Sequence, residues 1–161
     1  VKWKDQQKKA LTKQMQLNYI ESELMNYYWH LAEWKRYDDE INKLKEEYNE
    51  KLNNPSIGGS IVKMPDGNQE NSPWQIELSG KIYLFEEKKS VEEMYLNRCD
   101  EWLSVCTPAQ EKMFHQYVMI QQCTDAFKAG QLTGFSENNV KKSRERVLNK
   151  IYLNYFSKNV H

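Results

Sequence analysis

From residue 10 to residue 52 apolar and aromatic side chains recur at alternating intervals of three and four. With Leu17 in position a of a heptad, the a and d slots read Leu17, Ile20, Leu24, Tyr27, Leu31, Trp34, Asp38, Ile41, Lys45, Tyr48 and Leu52, so 9 of 11 are apolar or aromatic. Polar residues dominate between them and neither Gly nor Pro interrupts, so the pattern predicts one long amphipathic, coiled-coil-prone helix. At about 1.5 Å per residue it would run roughly 60–75 Å, too long to be buried alone. Leu17, Ile20, Leu24, Tyr27, Leu31, Trp34 and Ile41 are the candidate oligomerisation residues. Their partner is either the same helix of a second subunit, with a homodimer favoured, or the next helix of the same chain. Asp38 and Lys45 weaken the seam where they stand and can fix its register.

The period stops after Leu52. Residues 53–72 are rich in Asn, Pro, Gly and Ser, with a turn signal at Pro65-Asp66-Gly67, and read as a flexible loop whose Ile57, Ile61, Val62 and Met64 can still dock onto a neighbouring helix. Ser72-Pro73-Trp74-Gln75 then offers a cap, a proline at the first helical position and a glutamine at the third. The helical segment 73–106 that it opens carries Leu78, Ile82, Phe85, Leu96, Cys99, Leu103 and Cys106 on one stripe and is expected to pack on the first helix. Gly80 and a second cap signal at Ser90 leave open whether it is one helix or two. Thr107-Pro108-Ala109-Gln110 repeats the start signal and opens residues 107–161, which read as three helices. The first buries Met113, Phe114, Tyr117 and Val118. Ala126, Phe127, Ala129 and Leu132 are expected to face inward from the second, and Val140, Val147, Ile151 and Tyr155 from the third. The fold class is therefore all-α, with a carboxy-terminal trihelical head.

Within that head the punctuation is that of a helix-turn-helix: a short helix over 124–132, the turn Thr133-Gly134-Phe135, then a helix opened by Ser136. With Val140, Val147 and Ile151 inward, amides and bases project elsewhere. Asn pairs bidentately with adenine and Lys or Arg with guanine or phosphate, so Asn138, Asn139 and Lys142 are the candidates for base edges. Ser136 caps the helix and can hold a phosphate on its free amides. Lys141, Arg144, Arg146 and Lys150 are the candidate phosphate contacts.

Charge changes the picture only when taken locally. Lys and Arg balance Asp and Glu at 23 each over the whole chain, yet residues 123–161 hold 7 basic and 3 acidic residues and residues 53–122 hold 6 and 10. Phosphate contacts depend on charge within a Debye length, about 8–10 Å, so a basic end can bind DNA in a neutral chain. No stretch has the roughly 18–20 apolar residues needed to span a bilayer, and Val1-Lys2-Trp3-Lys4 leads into no signal-peptide core, so no membrane partner is expected and the protein reads as intracellular. Cys99, Cys106 and Cys123 show no CxxC spacing, and His30, His115 and His161 stand singly. No metal or cofactor is implied, and with no phosphate loop, HExxH or nucleophile motif the chain does not read as an enzyme.

The layout resembles the RinA-type phage late-gene transcriptional activators, with a looser similarity to the ArpU group and to region 4 of sigma factors. Ile20-Glu21-Ser22-Glu23-Leu24, Pro55-Ser56-Ile57-Gly58-Gly59, the run 111–117 and Gly134-Phe135-Ser136-Glu137-Asn138-Asn139-Val140-Lys141-Lys142 carry the resemblance. It implies a homo-oligomeric, sequence-specific regulator of late genes in the cytoplasm of a bacterial host, bound to double-stranded DNA and in reach of the host RNA polymerase, with Ser136 to Arg146 as recognition helix. The sigma-like signature has leucine where Thr133 stands, one residue after Leu132, which would lengthen the turn. A second resemblance, of residues 124–130 to phage small terminase subunits, implies DNA packaging instead, although those proteins carry the DNA-binding part first. A third reading is a helical interaction or inhibitor protein that binds no DNA.

Overall fold

The computed structural model describes residues 2–54, 62–63, 69–70 and 72–157. The chain is all-α: α1 (Lys2–Met25), α2 (Tyr27–Asn53), α3 (Pro73–Leu103), α4 (Pro108–Phe114), a π-helical segment His115–Ile120, α5 (Ala126–Thr133) and α6 (Glu137–Tyr155). One minimal antiparallel pair, β1 (Val62–Lys63) and β2 (Gln69–Glu70), sets Val62 opposite Glu70 and Lys63 opposite Gln69. The Pro65-Asp66-Gly67 turn and the docking of Ile57, Ile61 and Met64 lie outside the described residues.

Two compact units divide the chain, one formed by Val1–His30 with Tyr95–His161 and the other by Leu31–Met94. The start signals act as their chemistry requires. Thr107 accepts from the Gln110 amide while the Gln110 side chain accepts from the Thr107 amide, a reciprocal capping box. The Ser72 amide likewise donates to Gln75 Oε1 at 2.7 Å. From there α3 continues unbroken through Gly80 and Ser90 to Leu103.

The single helix expected over residues 10 to 52 is interrupted at Asn26. The Met25 carbonyl accepts from the Gln122 side chain at 2.8 Å, and the Asn26 amide reaches back only to Glu23. Asn is a poor helix former, and the outside donor supplies the bond the backbone gives up there. Gln122 and Cys123 themselves hold left-handed backbone, φ 56° and 61°, one residue beyond the π-helical segment.

The first unit contains the larger core. Ile20 and Leu24 of α1 join Cys99, Trp102 and Leu103 of α3, Met113 and Phe114 of α4, Tyr117, Val118 and Met119 of the π-helical segment, Ala126 and Ala129 of α5, and Val140, Val147, Leu148 and Ile151 of α6. Polar contacts frame it: Arg98 meets Glu23 at 2.6 Å, and Tyr95 donates to the Glu23 carbonyl. The Tyr27 hydroxyl donates to Asp100 at 3.1 Å, and burial, with Asp100 beside it, pushes that phenol up to about 12. Residues 107–161 are therefore not a self-contained head, because α1 and the end of α3 complete their core.

In the second unit, residues of α2 and α3 pair with their numbers running in opposite senses: Asp38 with Lys89 at 2.8 Å, Lys45 with Glu86 at 3.4 Å, and Tyr48 with Trp74 at 5.4 Å between rings. The two helices thus form an antiparallel hairpin, in which, among the described residues, Ile41 and Leu78 are the buried apolar side chains.

Because Ile20 and Leu24 fill the core beneath α6, a fragment of residues 107–161 should be helical only in part and melt without cooperativity. Thermal circular dichroism of the fragment against the whole chain tests this, and a sharp fragment transition would restore an autonomous head.

Candidate nucleic-acid interface

α5, its turn and α6 are shaped by two glycines. Asp125 caps α5 by accepting from the Lys128 amide at 2.9 Å. Gly134 ends the helix in left-handed backbone, φ 83°, with its amide on the Gly130 carbonyl at 2.8 Å. Only glycine takes that conformation without strain. Gly130 serves a different need, since a Cβ there would lie 2.3 Å from the Phe135 carbonyl oxygen. The chain leaving α5 folds flat against the helix it has just left. Thr133 closes the last turn of α5, with its hydroxyl on the Ala129 carbonyl, and α6 starts at Glu137. The connection is three residues, Gly134 to Ser136, and is not lengthened by Thr133.

Ser136 caps α6, its hydroxyl accepting from the Asn139 amide at 3.2 Å. Val140, Ser143, Val147, Leu148 and Ile151 form the buried face. Asn138, Lys142 and Arg146 follow at four-residue steps on the outer side, with Asn139 and Lys141 on its flanks, all five exposed. Lys141 lies 3.8 Å from Glu137 in a loose surface pair. Glu145, also exposed, dilutes the positive charge of this face.

Two of the expected phosphate contacts are engaged elsewhere. Arg144 makes a bidentate contact with Glu21 of α1, 2.5 and 2.7 Å, and both side chains are half-buried. Hydrogen bonding to that carboxylate raises the guanidinium pKa above its ordinary value, against the cost of burial. Arg144 is thus the tie between α6 and α1 rather than a group free for phosphate. Half-buried Lys150 donates to Gln110 Oε1 at 2.9 Å, placing it against the start of α4. Position along the chain cannot distinguish either from Lys142 or Arg146, because their partners come from distant sequence.

Other expectations also change. Phe127 and Leu132 do not face inward: they are 59% and 53% exposed, and Ala126, Ala129 and Gly130 form the inner side of α5. The close approach of the turn to Gly130 leaves no room for large side chains on that side. Among the candidate oligomerisation residues, Ile20 and Leu24 are fully buried in the chain's own core, and Leu17 and Tyr27 pack against it. That part of the heptad is an intrachain surface, since bringing α1 to α6 of its own chain costs only loop-closure entropy. In the second unit Ile41 is buried within the hairpin, and Leu31 and Trp34 are half-buried. Among the described residues no group of three His, Cys, Asp or Glu could hold a metal ion, and no helix is long and apolar enough to cross a membrane.

Gly130→Ala should cost about 1–3 kcal/mol because the turn backbone has to move, and Gly134→Ala about 1–2 kcal/mol from its left-handed backbone. Urea unfolding measures both, and equal tolerance of Ala and Gly at 130 would disprove the close approach. Arg144→Ala leaves Glu21 without its partner at a site between exposed and buried, for a loss of about 2–3 kcal/mol. Lys142→Ala should stay within about 0.5 kcal/mol. Similar losses for the two would mean that Arg144 is not a structural tie.

No protein-family model, characterised protein or solved structure matches this chain, so the geometry and charge around α6 carry the functional reading alone.

Proposed function

We propose that the protein is a sequence-specific DNA-binding regulator that presents α6 to the major groove. The observation that carries this reading is the junction itself: an eight-residue helix, a three-residue turn around a left-handed glycine, and a following helix whose first turns expose Asn138, Asn139, Lys141 and Lys142. A major groove about 12 Å wide admits one helix, and these side chains suit base edges and phosphates. Ser136 leaves the first α6 amides only partly satisfied, which suits a phosphate at the helix start. Lys141 and Arg146 are the phosphate contacts on this reading, with Asn138, Asn139 and Lys142 toward bases. Control of late phage genes and contact with RNA polymerase rest on the resemblance to RinA-type activators.

Replacing Lys141 and Arg146 together with Ala should weaken binding to all DNA sequences and reduce the slope of log K against log salt by about one unit per lost contact. Asn138→Ala or Lys142→Ala should cost roughly 1–3 kcal/mol on the preferred site and far less on random DNA. Fluorescence anisotropy across a salt series measures both. An unchanged slope in the double variant would remove α6 from the interface, and absence of salt-dependent binding by the wild type would leave the reading of a helical interaction protein.

A further inference from the structure

The hairpin of the second unit is apolar on two opposite sides of one helix. Leu78, Ile82 and Phe85 of α3 lie on the side that meets α2, where Phe85 packs 6.0 Å from Tyr37 between rings. On the other side stand Ile76, Tyr83, Leu84, Val91 and Met94, exposed by 63, 61, 59, 65 and 71%. Their spacing of seven, one, seven and three residues keeps them on one stripe, about 27 Å long at helical rise. Gly80 lies within the stripe, and a Cβ built there meets nothing within 4 Å. An ordinary surface helix has one apolar face, so a second face of this length requires its own explanation.

We propose that this stripe is a self-association surface, on which α3 of a second copy of the chain packs antiparallel. Three considerations select a second copy as occupant. The first is the hairpin's own core: among its described residues Ile41 and Leu78 are the buried apolar side chains, and two such hairpins joined through α3 form a four-helix arrangement with a shared interior. The second is area. Five large side chains exposed to this degree present on the order of 500 Å², the upper end of the largest patch on a monomer. With the stems of Lys81 and Lys88 beside them, the stripe approaches the roughly 800 Å² per partner of a stable interface. A two-fold axis makes one such patch sufficient, because it meets its own copy.

The third consideration is charge, which also selects the direction. Glu87 stands in the middle of the stripe, hydrogen-bonded by the Tyr83 hydroxyl. A parallel pair would bring Glu87 onto Glu87 of the other copy in a desolvated seam. The antiparallel register with Leu84 opposite Glu87 avoids this and sets Gly80 opposite Val91, where the missing side chain lets the helices approach. It also places each Glu87 within about one helical turn of Lys81 and Lys88 of the other copy, close enough for those flexible amines to reach the carboxylate.

Sedimentation equilibrium without DNA tests the proposal independently of any DNA affinity. The wild-type chain should be a dimer at about 100 µM, and Leu84→Glu with Val91→Glu should raise the dissociation constant at least 100-fold with unchanged helical circular dichroism, since neither side chain is in a core. Gly80→Cys with Val91→Cys should give a disulfide-linked dimer on mild oxidation, whereas Gly80→Cys alone should not. A wild-type monomer at that concentration would overturn self-association and leave the stripe to another protein. A Leu84→Glu, Val91→Glu chain that still dimerises with wild-type affinity would overturn this surface, and crosslinking by Gly80→Cys alone would overturn the antiparallel register.

Discussion

The first unit depends on α1 docking against α6. Ile20 and Leu24 fill the space beneath Val140, Val147 and Ile151, and the Glu21 carboxylate between them in sequence takes both arms of the Arg144 guanidinium. Apolar burial supplies the larger favourable term, and the ion pair sets which turn of α1 faces which turn of α6, because a planar fork accepts one carboxylate geometry. An unpaired charge at that depth would cost more than the pair contributes, so the contact discriminates between registers more than it adds stability. The orientation of α6, and hence of its exposed side, follows from residues more than a hundred positions earlier in the chain.

That dependence explains what was legible in the sequence. Start signals are local chemistry: Ser72 with Gln75, Thr107 with Gln110, and Ser136 with the Asn139 amide all lie within one turn, and all three appear as read. The all-α class and the buried faces of α4 and α6 follow from periodicity over several turns. Phe127 and Leu132 were misplaced because α5 has only two turns, too few for a period to decide the inner side, while the close contact at Gly130 decides it. The break at Asn26 depends on a donor from Gln122, itself held in left-handed backbone after a π-helical segment. Neither feature leaves a pattern in composition or spacing.

The same limit governs the candidate interface. The four phosphate candidates of one basic run look equivalent in sequence, and the fold separates them by the distance to partners elsewhere: Glu21 takes Arg144, Gln110 takes Lys150, and Lys141 and Arg146 stay in solvent. A heptad likewise records that a face is apolar without recording what covers it. Leu17, Ile20, Leu24 and Tyr27 are covered by their own chain, whereas the uncovered stripe lies on α3, opposite the Leu78 to Phe85 face that meets α2.

On the DNA-binding reading, the loss of Arg144 and Lys150 from the interface has an energetic consequence. Electrostatic affinity scales with the number of phosphates neutralised, and one α6 then offers only Lys141 and Arg146 to the backbone, with the Glu145 carboxylate beside them. Two such contacts make a single-headed complex weak at physiological salt. A molecule carrying two copies of α6 turns the second engagement into an intramolecular step and multiplies affinity without a new contact, provided that both can engage together. Self-association through α3 would supply the second copy without using the residues that hold α1 to α6. The surface that joins chains and the contacts that orient the candidate recognition helix would then vary independently, as a regulator needs if its site preference is to change without loss of assembly.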